Sequence, residues 1–465
     1  MAGVGMGVLM GTLDISIVNI SLPTLERELN THFATIQWVV IAYILVLTSL
    51  MLGAARMGDI IGPKKVYLTG LAIFTLGSLL CGAAPGVEWL IGFRAFQGLG
   101  AAMTQAVGAA IITMVFPPQE RGRALGIIGG IVAFGLAAGP AMGGLIIGLA
   151  GWRWVFLVNI PIGFTAGFVI WKHVPALRAG QAGQSFDVAG ALLLLVVLVG
   201  YALAMTMGQR TGFAAPVVLG LLTAAALGLF LFVFLETRVH QPMIDLTIFR
   251  DSLFSMNLLM SFLVFIMNGG VLILPFFLEL VMGYSTEKAG LFMMVGPVSM
   301  GLVSTWAGTL SDRHGSRLIS LLGLLFLVGG CVAVSTLHAD VSALGYILRI
   351  APIGIGMGLF QAPNNSAVMG RAPKDRLGVA SGLLNLSRTM GNSTGFPLMG
   401  ALFAAQVAVL SGLPSGTKLA DLPREAIAGA VAGTYQIAAF FGLVVVILAL
   451  SAFRLSRRGT ENIES

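Results

Sequence analysis

The sequence predicts an all-α polytopic membrane protein that crosses the bilayer about fourteen times, and three observations lead there. The 465 residues are 57% hydrophobic and only 10% charged, whereas a soluble domain carries about a quarter charged residues. The apolar residues fall in runs of about 20, the length a spanning helix needs, and lack the alternating pattern of barrel strands. Lys and Arg are sorted between alternate loops, as membrane orientation demands. Lipid accepts apolar side chains but forces backbone groups to bond internally, so only helices or closed barrels can span, and these runs favour helices.

A first set of six runs lies at 2–22, 34–57, 66–84, 87–115, 124–148 and 152–174. A pair follows at 186–207 and 214–236, then six more at 253–282, 288–310, 316–337, 342–369, 377–405 and 428–453. The first run continues to Pro23 without a small-residue cleavage site, so it is expected to remain as the first span. With alternate loops compared, one side holds seventeen Lys and Arg, among them Lys64, Lys65, Arg121 and Arg376, and the other holds six. The richer side is expected to be cytoplasmic, with both termini on it. The net charge of +7 reflects this dispersal and forms no dense basic face for nucleic acid. Cys81 and Cys331 each sit in an apolar run in different halves, so they read as packing residues.

An internal repeat divides the chain. Asp59 resembles Asp312, Arg94 resembles Arg349 and Arg121 resembles Arg376, at offsets of 253, 255 and 255 residues. Six spans need fewer residues than that, and the surplus matches two inserted helices. The plan is therefore 6+2+6: a six-helix bundle over 1–174, a linker and inserted pair over 175–252, and a second, pseudo-symmetric six-helix bundle over 253–465. Paired six-helix halves with a central site between them are the build of alternating-access transporters.

Asp14 stands inside the first span, where a charged, unpaired carboxylate costs several kcal/mol. It shares one helical face with Gly3, Gly7, Gly11, Val18 and Ser21, a small and polar stripe suited to a bundle interior. Arg94 in the fourth span, with Gln97, Ala101 and Gln105 on its face, is the natural partner. A neighbouring guanidinium favours the charged carboxylate and desolvation favours the protonated one, so the acid is switchable. The fifth span carries Gly135, Gly139, Pro140, Gly143 and Gly144, which allow tight helix contact and a bend. In the second half, Asn257, Ser261, Asn268 and Glu279 follow one stripe and Asn385, Arg388 and Asn392 another, while Asn364 and Asn365 follow Pro363. Glu279 lies near the outer end of its span, where either a solvated carboxylate or a proton carrier fits.

These segments resemble the major facilitator superfamily, most closely its fourteen-span drug:proton antiporter branch, over nearly the whole chain. The resemblance rests on Leu13-Asp14 through Asn19 and Pro23, on Arg94, Gln97, Gly98 and Gly100, on the fifth-span glycines and Pro140, and on Trp152-Arg153-Trp154 through Asn159 and Pro161. The family's cytoplasmic gating pattern is intact in its second copy, Gly308, Asp312, Arg313 and Gly315, but its first retains only Asp59 and Gly62, with Ala55 and Ile60 at the other two positions. Lys64 and Lys65 offer either compensation for that loss or a solvated positive-inside pair. The resemblance implies proton binding at Asp14, tuned by Arg94, with the fifth-span pattern helping to seal one conformation; Glu279, which stands where the family would have an amide, joins them as a proton-coupling candidate from its place on the stripe alone. The polar stripes give a candidate substrate cavity including Asn19, Gln97, Gln105, Asn257, Asn268, Asn364, Asn385 and Arg388.

The expected function is a proton-coupled exporter of amphiphilic small molecules such as drugs, dyes or antibiotics, with an uptake symporter of the same fold as the alternative. It would lie in the cytoplasmic membrane and work as a monomer, with accessory efflux partners an option. An embedded enzyme or channel is disfavoured: there are no paired catalytic carboxylates and no nucleotide loop, and the five histidines do not cluster as metal ligands. No cofactor is expected beyond the proton gradient.

Overall fold

The structure, a computed structural model, describes residues 1–116, 118–175, 188–238, 246–371, 377–412 and 418–464. Nearly all of the described residues are helical and none is in a strand. A helix stands at every predicted run: α1 (Ala2–Glu28), α2 (Trp38–Ile61), α3 (Pro63–Gly82), α4 (Val87–Val115), α5 (Pro118–Ala150), α6 (Asn159–His173), α7 (Val188–Thr211) and α8 (Pro216–Glu236). There follow α9 (Ser252–Asn268), α10 (Val295–His314), α11 (Ser316–Val334), α12 (Ala343–Arg371), α13 (Leu377–Ser411) and α14 (Arg424–Glu464). Eleven stretches of the described residues are long and apolar enough to cross a membrane. The other three helices, α4, α7 and α10, have 29, 24 and 20 residues, enough for the roughly 30 Å of a bilayer core at 1.5 Å per residue.

The chain forms two compact units, one of Met1–Ile244 with Tyr284–Met294, the other of Asp245–Gly283 with Val295–Ser465. In the first, α4 packs against α2 and α3, α1 lies against α5 and α6, and α7 and α8 pack on each other. Glycines set the closest approaches. A Cβ on Gly77 would fall 2.8 Å from Gln97 Cα and one on Gly98 would fall 2.6 Å from the Tyr43 carbonyl, so α4 touches α3 and α2 backbone to backbone. In the second unit Gly323 and Gly356 do the same for α11 and α12, each with a virtual Cβ within 2.6 Å of a backbone nitrogen of the facing helix. The repeat also survives in the loops, where Gly62 and Gly315 end α2 and α10 with φ of 97° and 84°, values only glycine adopts freely.

The ninth run departs from the single helix expected over 253–282. After α9 it continues as a 3₁₀ turn (Gly269–Ile273), a short helix (Leu274–Phe276) and a π turn (Phe277–Val281). Pro275 removes the N–H that would serve the Val271 carbonyl, and Gly269 is pressed on the Gly395 backbone of α13, its virtual Cβ 2.8 Å from Gly395 Cα. The regular ladder yields where both effects coincide.

Candidate functional site: a buried carboxylate and guanidinium in the first unit

Asp14 of α1 and Arg94 of α4 form an ion pair, Nη1 to Oδ2 2.5 Å, with side-chain exposures of 0% and 1%. The pairing expected from sequence is therefore present, inside a larger polar cluster. Asp14 Oδ1 accepts from Gln97 Nε2 at 3.0 Å and from Asn159 Nδ2 at 2.9 Å. Gln97 also donates to Ser78 Oγ at 2.8 Å and accepts from Arg94 Nη1 at 2.6 Å. Arg94 has further holds: its Nε donates to the Val39 carbonyl at 3.0 Å and its plane lies 4.2 Å from the Tyr43 ring centroid. Five helices, α1, α2, α3, α4 and α6, thus contribute to the cluster around one carboxylate, and each buried charge is met by several partners, which makes an ion pair tolerable in a low dielectric.

The expected stripe of small residues on α1 has a definite task. Gly3 faces Ile170 of α6, Gly7 faces the Tyr67 hydroxyl of α3 and Gly11 faces Gln105 of α4, so the stripe brings neighbouring helices close enough to reach Asp14. Gln97, expected in the substrate cavity, is fully buried and its amide is occupied inside the cluster. Gln105 is exposed, and Asn19 is 8% exposed with an Oδ1 that meets no donor. Nothing in the sequence alone points to Asn159 or Ser78 as partners of the pair. Asn159 belongs to the quoted stretch after Trp152, but only the return of α6 to α1 brings its amide to the carboxylate.

The glycine and proline pattern of α5 packs on two sides. Toward α1, a Cβ on Gly135 would meet Thr12, one on Gly139 would fall 2.7 Å from Ser16 Oγ, and one on Gly143 would fall 2.7 Å from Ile20. Thr12, Ser16 and Ile20 repeat every four residues, so the two helices run in register along that seam. Pro140 lacks the N–H that would bond the carbonyl of Leu136 four residues earlier, and the Ser16 hydroxyl donates to that carbonyl at 3.0 Å. Toward the other side, Gly144 meets the segment Tyr284–Met294, its virtual Cβ 2.6 Å from the Thr286 carbonyl and 2.8 Å from Glu287 Cα. That segment lies in the second half of the sequence yet packs within the first unit.

Of the gating residues, the side chains of Asp59 and Asp312 lie outside the described residues, as do the repeat positions Arg121 and Arg376. Arg313 is exposed. Lys64 donates to the carbonyls of Trp171, at 3.0 Å, and Val174, closing the C-terminal end of α6.

In the second unit Arg349 does not repeat the pairing of Arg94. It is part-exposed and donates to Thr336 Oγ1 at 2.8 Å and to the Gly345 carbonyl at 3.0 Å. Asn257 donates to the Leu253 carbonyl of its own helix at 2.7 Å. Asn268 ends α9, Asn385 is part-buried on α13, and Glu279 is part-exposed on the π turn. Arg388 of α13 donates to Asn365 Oδ1 of α12, and Asn364 is 1% exposed. Arg371, the last residue of α12, and Asp251, just before α9, form an ion pair of 2.8 Å.

The comparisons with known proteins agree with this architecture. Residues 4–396 match the family model described as Major Facilitator Superfamily. The chain is 35% identical over 400 residues to the riboflavin transporter RibZ of Clostridioides difficile, covering 86% of each chain. It is 34% identical to the multidrug resistance protein Stp of Mycobacterium tuberculosis, over 86% of this chain and 75% of that one. It is 30% identical to the tetracenomycin C resistance and export protein of Streptomyces glaucescens, over 90% and 78%. Among solved structures, a bacterial homologue of the human lysosomal transporter Spinster shares the fold, with a TM-score of 0.68 at 17% identity and 97% coverage of both chains. With its helical multi-pass build and this match over most of its length, the chain belongs to the Major Facilitator Superfamily and is a membrane transporter, not an enzyme.

Proposed function

We propose that this transporter is a proton-coupled antiporter of the fourteen-span drug:proton branch, expelling amphiphilic small molecules across the cytoplasmic membrane by alternating access. Both termini lie in the cytoplasm, the monomer is the working unit, and the proton gradient is the energy source without any cofactor. The observation that carries the reading is the fully buried Asp14–Arg94 pair. Ionisable groups at such depth mark ion pathways, and this pair has a feature suited to proton exchange. Arg94 is also held by the Val39 carbonyl, Gln97 and the Tyr43 ring, so Asp14 can take a proton without stranding the guanidinium. Relatives named for multidrug resistance, for tetracenomycin C resistance and export and for riboflavin support an amphiphilic small-molecule substrate.

The same pair would serve a symporter, and the direction of transport separates the two. In everted vesicles with an imposed pH gradient, the wild-type chain accumulates dye and releases protons, whereas Asp14→Asn inserts in the membrane but loses gradient-driven accumulation. Undiminished proton-driven transport by that variant would remove Asp14 from the mechanism, and substrate leaving the vesicles under the same gradient would favour the symporter.

A further inference from the structure

Among the described residues of the second unit, Arg388 is a cation without an acid within ion-pair distance. Arg388 stands eleven residues from the start of α13, on a stretch long and apolar enough to cross a membrane. Its guanidinium donates to Asn365 Oδ1 and lies 5.7 Å from the Phe265 ring of α9. Its Nε is buried without an acceptor, and among the described residues no Asp or Glu lies within ion-pair distance of it. Arg94, the buried arginine of the first unit, has a carboxylate and three further holds.

Neighbouring polar groups are in the same condition. Asn392, one turn along α13, has a buried Oδ1 with no partner. Ser261, one turn before Phe265 on α9, is 1% exposed and its hydroxyl is unpaired. Asn364, beside Asn365 on α12, is 1% exposed with both amide atoms unpaired. The helices α9 and α13 touch at this level, since a Cβ on Gly391 would fall 2.6 Å from Phe265 Cβ. Buried polar side chains are nearly always satisfied, and an uncompensated charge inside a membrane costs several kcal/mol. Unpartnered polar groups on the three helices that meet at one guanidinium are what a site for an acidic ligand needs.

We propose that Arg388, with Asn365 and Asn392 beside it, receives an anionic oxygen group of the transported molecule, a carboxylate or an ionised enol or phenol. Ser261 and Asn392 then face hydrogen-bonding groups next to that acid. The assignment rests on the transporter reading and names its substrate class: amphiphiles carrying an acid, zwitterions included. Asp14 is closed off by its own donors and offers no free acid for a cation in this conformation.

The test is equilibrium binding of pyrenebutyrate and of its uncharged methyl ester to the purified full chain in detergent, followed by pyrene fluorescence. Wild type is expected to bind the acid more tightly than the ester. Arg388→Gln should weaken acid binding by about ten- to a hundred-fold, the range of one charge-assisted hydrogen bond, and leave the ester unchanged, while Arg388→Lys restores part of the preference. A purely structural arginine would lower the unfolding temperature when replaced; removal of an unbalanced charge should not. Equal binding of acid and ester, binding of neither, retention of the preference in Arg388→Gln, or a lower unfolding temperature for that variant each overturns the assignment. No gradient is present, so this result and the loss of proton-driven transport in Asp14→Asn fail independently.

Discussion

Breaking the Asp14–Arg94 pair from each side should give unequal losses, because only one partner can discard its charge. In Asp14→Asn the guanidinium stays charged, since arginine does not deprotonate in proteins. Removing one member of a buried pair costs about 3–5 kcal/mol. The low end, about 3 kcal/mol, applies because Arg94 retains the Val39 carbonyl, Gln97 and the Tyr43 ring. In Arg94→Gln the acid can take a proton and still meet Gln97 and Asn159, so the loss should be about 1–3 kcal/mol, the cost of an imperfectly satisfied buried group. The double variant leaves no charge, and its loss should fall short of the summed single losses by about 2 kcal/mol. Reversible unfolding of the purified protein by SDS in mixed micelles measures all three variants. Single losses that add to within about 0.5 kcal/mol would show the two groups to be energetically independent, and the reasoning from burial and pairing would then fail.

Two further outcomes follow from other contacts. Ser16→Ala strands the Leu136 carbonyl and should cost about 1 kcal/mol; in a Pro140→Ala background, where residue 140 regains its N–H, the same change should cost close to nothing by the same unfolding assay. Burial pushes the Asp251 carboxyl up, but the Arg371 hydrogen bond and the Phe254 and Leu253 amides outweigh it and hold the group below the usual aspartate range. A depressed folded-state value stabilises the fold above the unfolded value, and that contribution disappears as pH falls below about 4. The difference in unfolding temperature between wild type and Asp251→Asn should therefore be constant near neutrality and vanish in acid; a difference independent of pH would dissociate the ion pair from stability.

Much was legible because it depends on local pattern. Fourteen helical runs follow from apolar length, and the Asp14–Arg94 pair follows from the cost of an isolated charge in lipid, which forces each group to find a partner. The repeat at 253 to 255 residues is visible in the backbone, in Gly62 and Gly315 and in the paired glycines of α3 with α4 and of α11 with α12. The two copies diverge in their contacts: Arg349 occupies the repeat position of Arg94 but meets a threonine and a carbonyl, and among the described residues no acid lies within ion-pair distance of it.

By itself the sequence determined the solvent, the helical content, the repeat and the presence of a buried acid and base, because each follows from hydropathy, spacing or the energy of one charge. Only the tertiary structure decided that Asn159 and Ser78 complete the cluster, that Ser16 answers the carbonyl released by Pro140, that Lys64 closes α6 and that Tyr284–Met294 packs within the first unit. Those contacts join residues from 19 to more than 250 positions apart, some through a single hydrogen bond. The choice of partner for such a bond is made by which helix faces meet, and helix periodicity tells which face is polar but not which neighbour it will touch.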